Sequence, residues 1–159
     1  MQKTDKVLGI IPARYDSSRF QGKVLTDILG QSMIQRVYEQ ASKAKSLHEI
    51  VVATDDERIF EVVKNFGGKV VYTSKQHKSG TDRCAEVIKQ TDYKDFDIVI
   101  NIQGDEPFIQ PLQIDKVVSF LKNNPSFQIG TLAKKIEKEA SLFSPNVVKV
   151  VFEVSKKAI

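Results

Sequence analysis

The sequence predicts an α/β domain with a mainly parallel sheet and helices on both faces. Three observations predict it. Short apolar strands alternate with helical segments along most of the chain. The first strand, Val7 to Ile11, is continuously apolar rather than alternating, as expected of a parallel strand buried on both sides. Between strands, apolar residues recur at helical spacing, with Met33, Val37 and Ala41 beside Ile34, Tyr38 and Ala44.

In order, the first strand ends at Pro12 and is followed by a polar loop. A helix is expected over 33–44, then a strand at Glu49 to Thr54 (EIVVAT). The next helix runs from Asp55 to Phe66, with Ile59, Val62, Val63 and Phe66 inward and Gly67-Gly68 as its stop. Lys69 to Tyr72 forms a short third strand. A polar loop, TSKQHKSG, leads into a helix at Thr81 to Thr91. Asp97 to Ile102 (DIVINI) is the fourth strand, and Pro111 opens a helix reaching about Lys122. Strands are expected at Gln128 to Ala133 and Val147 to Val154, with a short helix near Glu137 to Phe143. The end, KVVFEVSKKAI, reads as a hairpin cut off in its second arm, so the single domain, 1–159, is expected to be truncated.

The 159 residues suit one domain, and the composition is ordinary for a globular protein: 41% hydrophobic, 28% charged. A net charge of +4 fits a small anionic ligand and lacks the dense basic stripe of a nucleic-acid binder. Cys84 is the only cysteine, which excludes an internal disulfide or a cysteine metal cluster and reads as a small core residue. The amino-terminal apolar run is neither a signal peptide nor a membrane span, which leaves the cytoplasm as the expected compartment.

Three constellations carry chemistry. The first is the loop after the first strand, where Arg14, Arg19 and Lys23 stand with Ser17, Ser18 and Gly22. Open α/β sheets bind ligands beyond the carboxyl ends of their strands. The arginine fork and the lysine point charge suit phosphate oxygens. The loop is not a Walker A sequence and not GxGxxG, so its charge comes from side chains. A solvated basic loop is the alternative.

The second is QGDEP, Gln103 to Pro107, directly after DIVINI. Gly104 allows a close approach to the backbone. Continued strand geometry would point Gln103 and Asp105 the same way. Asp105 is placed as a Mg²⁺ ligand, since that ion takes one or two carboxylates plus phosphates and waters. A simple Asp-Glu-Pro turn or helix entry is the alternative.

The third is HKSGTDR, His77 to Arg83, where Ser79 or Thr81 can cap a helix whose amino end favours anions or polar ligand edges. His77 by itself reads as a surface histidine and His48 as structural. Asp55 and Asp56 evoke a phosphorelay pocket, but TDDERI reads better as a helix start with acids in its first turn.

Together, IPARYxSxRxxGKxL, HxSGTDR, NIQGDEP and NVVKVV closely resemble the 3-deoxy-manno-octulosonate (KDO) cytidylyltransferases, over essentially all of residues 7–152. The related CMP-sialic acid synthetases share the outline of the first motif. Gln21 departs from the pattern, which has proline before Gly-Lys, and should loosen that loop slightly. The resemblance implies a Rossmann-like nucleotide-diphospho-sugar transferase fold in three layers. It covers about the amino-terminal two-thirds of a member, before a segment for sugar-acid binding and dimerisation.

The implied reaction is CTP + KDO → CMP-KDO + pyrophosphate with Mg²⁺, in lipopolysaccharide synthesis, by a homodimeric enzyme acting on neither nucleic acid nor membrane. The implied catalytic residues are Arg14, Lys23 and Asp105, with Asp105 on the metal. Arg14, Arg19 and Lys23 would meet the triphosphate beside Ser17. Pro12, Ala13, Ser79, Gly80, Thr81 and Arg83 would surround the cytosine, and Gln103 would sit near nucleotide and sugar acid. Another sugar-acid or sugar nucleotidyltransferase, a non-catalytic nucleotide-binding fragment, and more remotely a receiver-type signalling domain stay open.

Overall fold

A computed structural model describes residues 5–16 and 20–153. Its centre is a four-stranded parallel sheet in the order β5-β4-β1-β6, formed by β1 (Val7–Ala13), β4 (Glu49–Thr54), β5 (Val70–Tyr72) and β6 (Ile98–Asn101). A small antiparallel pair, β2 (Asp27–Ile28) and β3 (Gln31–Ser32), lies apart from it.

The helices follow from caps and apolar stripes. Ser32 caps α1 (Met33–Ala41) by accepting the Gln35 N–H at 3.3 Å. Asp56 caps α2 (Glu57–Asn65). That helix ends as Gly67 takes φ +79°, with the Gly67 and Gly68 N–H groups returning to the carbonyls of Lys64 and Val63, each at 2.9 Å. Ser79 caps α3 (Gly80–Val87), Pro111 opens α4 (Pro111–Asn123), and a short α5 spans Glu139–Phe143.

Alternation along β1 sorts the core into two layers. Val7, Ile11 and Ala13 pack with Ile34, Val37, Ile59, Val63, Ile114 and Val118, so α1, α2 and α4 cover one face. Leu8 and Ile10 pack with Val51, Ala53, Cys84, Val87 and Tyr93, so α3 and the turn after it cover the other. Each fully buried Leu, Ile or Val contributes about 1.5–3 kcal/mol of transfer free energy. The chain steps outward from β1 to β4 to β5, then crosses back to β6 on the far flank of β1. With crossovers of one hand, that reversal places α3 opposite α1 and α2. It also opens a crevice beyond the carboxyl ends of β1 and β6.

The predicted fold class and its central elements are present, with four corrections. β1 runs through Pro12 to Ala13 instead of stopping before it. The Ile10 carbonyl faces β6, accepting the Ile102 N–H at 2.8 Å, and Pro12 is two residues on and faces the same flank. The paired register with β6 ends at Ile10, so the missing proline N–H removes no ladder bond. Helix α3 stops at Val87, short of Thr91, in a turn closed by the Gln90 N–H on the Val87 carbonyl.

The expected strand at 128–133 is irregular chain. It lies against α4, where Phe127 stacks on Phe120 at 5.6 Å between centroids. The described part of the last expected strand, 147–153, also lies outside the sheet, and its Val148 is 96% exposed. Both segments have the β-favouring composition, but a strand needs a partner edge, and neither joins the four-stranded sheet; Phe152 alone makes an isolated bridge. The expected turn at 155–157 and the return arm after it lie outside the described residues, as does Val154.

Two single-residue readings hold. Cys84 is buried, and burial pushes its thiol up to about 11. His48 is structural, its Nδ1 accepting the Val7 N–H at 3.0 Å where β1 begins. Asp115 of α4 fastens the chain before β4 by accepting the Ser46 hydroxyl at 2.7 Å and N–H at 2.9 Å, which hold its carboxyl below the usual range. No described helix is long and apolar enough to cross a membrane.

Candidate active site

The loop after β1 is shaped by a glycine. The Gly22 N–H returns to the Tyr15 carbonyl at 2.8 Å with φ +70°, and a β-carbon there would lie 2.9 Å from the Tyr15 ring. Only glycine meets both conditions without strain. The Arg58 guanidinium covers Tyr15 at 3.2 Å from the ring centroid and is held in turn by Asp56. That pairing, led by the Arg58 side-chain bond, holds the Asp56 carboxyl below its usual range. Gln21 donates its side-chain amide to Asp16 at 3.1 Å, a tie of its own across the loop.

Lys23 opens a tight helical turn, Lys23–Leu25, anchored by the buried Val24. Its ammonium therefore projects from a fixed base. Ser17 and Arg19 lie outside the described residues.

The second constellation meets the first. A β-carbon at Gly104 would stand 3.1 Å from the Pro12 carbonyl oxygen, so the backbone after β6 passes directly against the end of β1. Ile102 and Gly104 are buried while Gln103 and Asp105 are exposed toward the crevice, so strand alternation continues. The Asp105 carboxylate meets Lys23 Nζ at 2.6 Å, with the side chains 44% and 40% exposed.

The third constellation closes the crevice. Ser79 and Asp82 exchange capping bonds, the Ser79 hydroxyl donating to the Asp82 carboxylate at 2.7 Å and accepting the Asp82 N–H at 3.1 Å. Gly80 packs on the Pro12 ring. Pro12, Ala13, Arg14, Lys23, Ser79, Gly80, Arg83, Gln103 and Asp105 all line one cleft of about 240 Å³. Thr81 does not; it is exposed on the first turn of α3.

Arg83 lines the cleft from beneath. It is 3% exposed, donates to Asp55 Oδ2 at 3.1 Å and to the Thr73 hydroxyl, and so ties α3 to the ends of β4 and β5. Helix capping falls to Asp56 alone, while Asp55 serves Arg83.

Sequence reasoning did not single out Lys78, Thr73 or Glu86, and it took His77 for a surface residue. His77 and Lys78 line the cleft. His77 Nε2 is paired with the Glu86 carboxylate, and its side chain is only 21% exposed. Lys78 was legible as the cation at the variable position of HxSGTDR. Glu86 carried no local signal, because its partners come from a loop nine to twelve residues upstream.

The arrangement suits a nucleoside polyphosphate. Arg14, Lys23 and Lys78 present positive charge, the end of α3 presents an ordered polar edge, and Asp105 is the carboxylate on the cleft wall. Among the described residues no three His, Cys, Asp or Glu side chains converge as a metal cluster. One carboxylate fits Mg²⁺ held together with a ligand's phosphates and water, rather than an all-protein metal cage.

Comparison with known proteins adds an independent line. The profile of the family described as cytidylyltransferase matches residues 8–159. A 3-deoxy-manno-octulosonate cytidylyltransferase of Syntrophus aciditrophicus is 50% identical over 94% of this chain and 60% of its own length. An 8-amino-3,8-dideoxy-manno-octulosonate cytidylyltransferase of a Shewanella species is 53% identical over 91% of this chain and 59% of its own. A solved CMP:2-keto-3-deoxy-manno-octonic acid synthetase complexed with CTP superposes with a TM-score of 0.91 at 41% identity, covering 98% of this chain and 63% of that one. The chain thus spans about 60% of the length of the curated relatives it matches.

Proposed function

The chain belongs to the cytidylyltransferase family, and from that premise we propose that it forms the nucleotide-handling part of an enzyme that joins CMP from CTP to KDO and releases pyrophosphate. The observation that carries this reading is the convergence of distant segments, 12–14 with 23–24, 77–80 with Arg83, and 103–105, on one cleft at the carboxyl ends of β1 and β6. The related synthetase complexed with CTP supports the choice of nucleotide. Lipopolysaccharide synthesis, a cytoplasmic setting and a homodimeric enzyme follow from the same resemblance.

In the proposed reaction the anomeric hydroxyl of the sugar acid attacks the α-phosphorus. A new O–P bond forms, the bond to the bridging oxygen breaks, pyrophosphate departs, and the hydroxyl proton passes to solvent. Such a transfer depends on positioning and charge neutralisation. Arg14 and Lys23, with Arg19 and Ser17 of the same loop, hold the triphosphate. Gln103 sits between nucleotide and acceptor. The Pro12 carbonyl, the Ala13 backbone, and Ser79 and Gly80 face the base, with Arg83 beneath them and Thr81 outside the cleft. Asp105 would hold Mg²⁺, which would supply neutralising charge at the phosphates.

The Lys23–Asp105 pair is consistent with these roles. Both side chains are well exposed, and such a pair contributes at most about 1 kcal/mol. An arriving phosphate therefore displaces Asp105 from Lys23 at little cost and leaves it free for the metal.

A second reading keeps the nucleotide half and replaces the acceptor by 8-amino-3,8-dideoxy-manno-octulosonate. It is favoured by the 53% identity to a relative named for that sugar. Pyrophosphate release by the full protein, assayed with each nucleotide and each acceptor, tests both. Release is expected with CTP and KDO in the presence of Mg²⁺, falling by about 100-fold or more in Asp105→Asn, the size of losing one transition-state charge contact. Equal release with ATP, or Asp105→Asn turning over normally, would overturn the proposal. Release with the 8-amino acceptor alone would select the second reading.

A further inference from the structure

The loop 73–79 connects β5 to α3 and brings His77, Lys78 and Ser79 to the cleft wall. It is a polar segment tied to α3 at both ends, by Arg83 on Thr73 and by Asp82 on Ser79, and in its middle by Glu86. Glu86 Oε2 accepts the Ser74 N–H at 2.9 Å and also meets His77 Nε2. The Ser74 bond first and the His77 bond second hold the Glu86 carboxyl below its usual range, so it is an ionised acceptor at neutral pH. A carboxylate has no proton to give. The nitrogen that meets it, His77 Nε2, must therefore carry a proton, and in the neutral tautomer this contact selects, Nδ1 is the lone-pair acceptor.

We infer that Glu86 is a positioning residue for nucleotide recognition: it fixes the His77 ring and its tautomer, so that His77 offers the cleft a hydrogen-bond acceptor for an N–H or O–H of the nucleoside. This rests on the nucleotide-binding reading above. Glu86 is not itself among the residues lining the cleft, so it acts through His77 and the loop. The pairing is chemically specific. Glutamine at this position would be isosteric, yet its amide either accepts or donates and no longer dictates where the imidazole proton sits.

The test has two arms. The first is ¹⁵N NMR of the imidazoles at pH 8, simplified because the chain holds only two histidines. His77 is expected with Nε2 protonated and Nδ1 bare, and Glu86→Gln should shift both resonances while His48, held by the Val7 N–H, stays put. The second arm is CTP affinity in a double-mutant cycle. Glu86→Gln and His77→Ala are each expected to weaken CTP about tenfold, the size of one lost hydrogen bond. The double variant should be no worse than His77→Ala, because interacting residues are non-additive.

A bare Nε2, a ring protonated on both nitrogens at pH 8, unchanged CTP affinity in Glu86→Gln, or full additivity in the cycle would overturn the inference. A wild-type protein that binds no CTP would overturn the nucleotide reading instead, and the recognition role with it, even if the NMR arm gave the expected tautomer.

Discussion

Lys23→Ala is expected to weaken CTP binding by about 100-fold while leaving thermal stability within a degree or two. The loss follows from the lysine's position. Its backbone opens a tight turn anchored by buried Val24, so the ammonium is delivered to the cleft without first having to be ordered. A charge-assisted contact to a phosphate is worth about 1.5–3 kcal/mol, which is roughly 10- to 100-fold in affinity. Preorganisation puts this site at the upper end of that range. The unchanged stability follows from exposure. Among the described residues Lys23 pairs with Asp105, both partners are more than a third in water, and such a pair adds little to folding. Calorimetric CTP titration and a melting curve on the same sample check both halves. Full CTP affinity in the variant would remove Lys23 from the phosphate site.

Arg83→Met is expected to do the reverse, lowering the melting temperature steeply. The Arg83 side chain is almost wholly buried and holds Asp55, whose side chain is 18% exposed, together with the Thr73 hydroxyl. Methionine fills much of the space but leaves a mostly buried carboxylate without its counter-charge. Breaking such a pair costs about 3 kcal/mol, at the low end for buried pairs because Asp55 keeps some water. In a domain of this size that is roughly 6–12 °C. Adding Asp55→Asn should recover part of the loss, since it removes the orphaned charge. An unchanged melting temperature with CTP affinity lost would instead make Arg83 a direct ligand contact with no structural duty.

Much of this architecture is legible in the residues. The continuous run that starts β1 at Val7, the caps at Asp56 and Ser79, Gly67 after α2 and Pro111 at the head of α4 are local signals, and each marks a real boundary. The site was legible for a related reason. Gly22, Gly104 and the polar residues around them belong to loops directly after strands, so sheet topology alone brings them together.

What escaped was non-local. β1 passes through Pro12 because β6 has stopped pairing by then, which no pattern within β1 reveals. The segments 128–133 and 147–153 carry strand composition but join neither sheet, with only an isolated bridge at Phe152. Glu86 reads as an ordinary polar helix position until the loop 74–77 folds back on it, and Asp55 reads as a helix-start acid until Arg83 reaches it.

Titration calorimetry of this chain with CTP and Mg²⁺, run beside UTP and ATP, tests the central claim most directly. CTP-selective binding that depends on Lys23 is the expected result, and it would locate nucleotide recognition within these residues. A folded chain that binds none of the three nucleotides, or binds ATP as well as CTP, would contradict it.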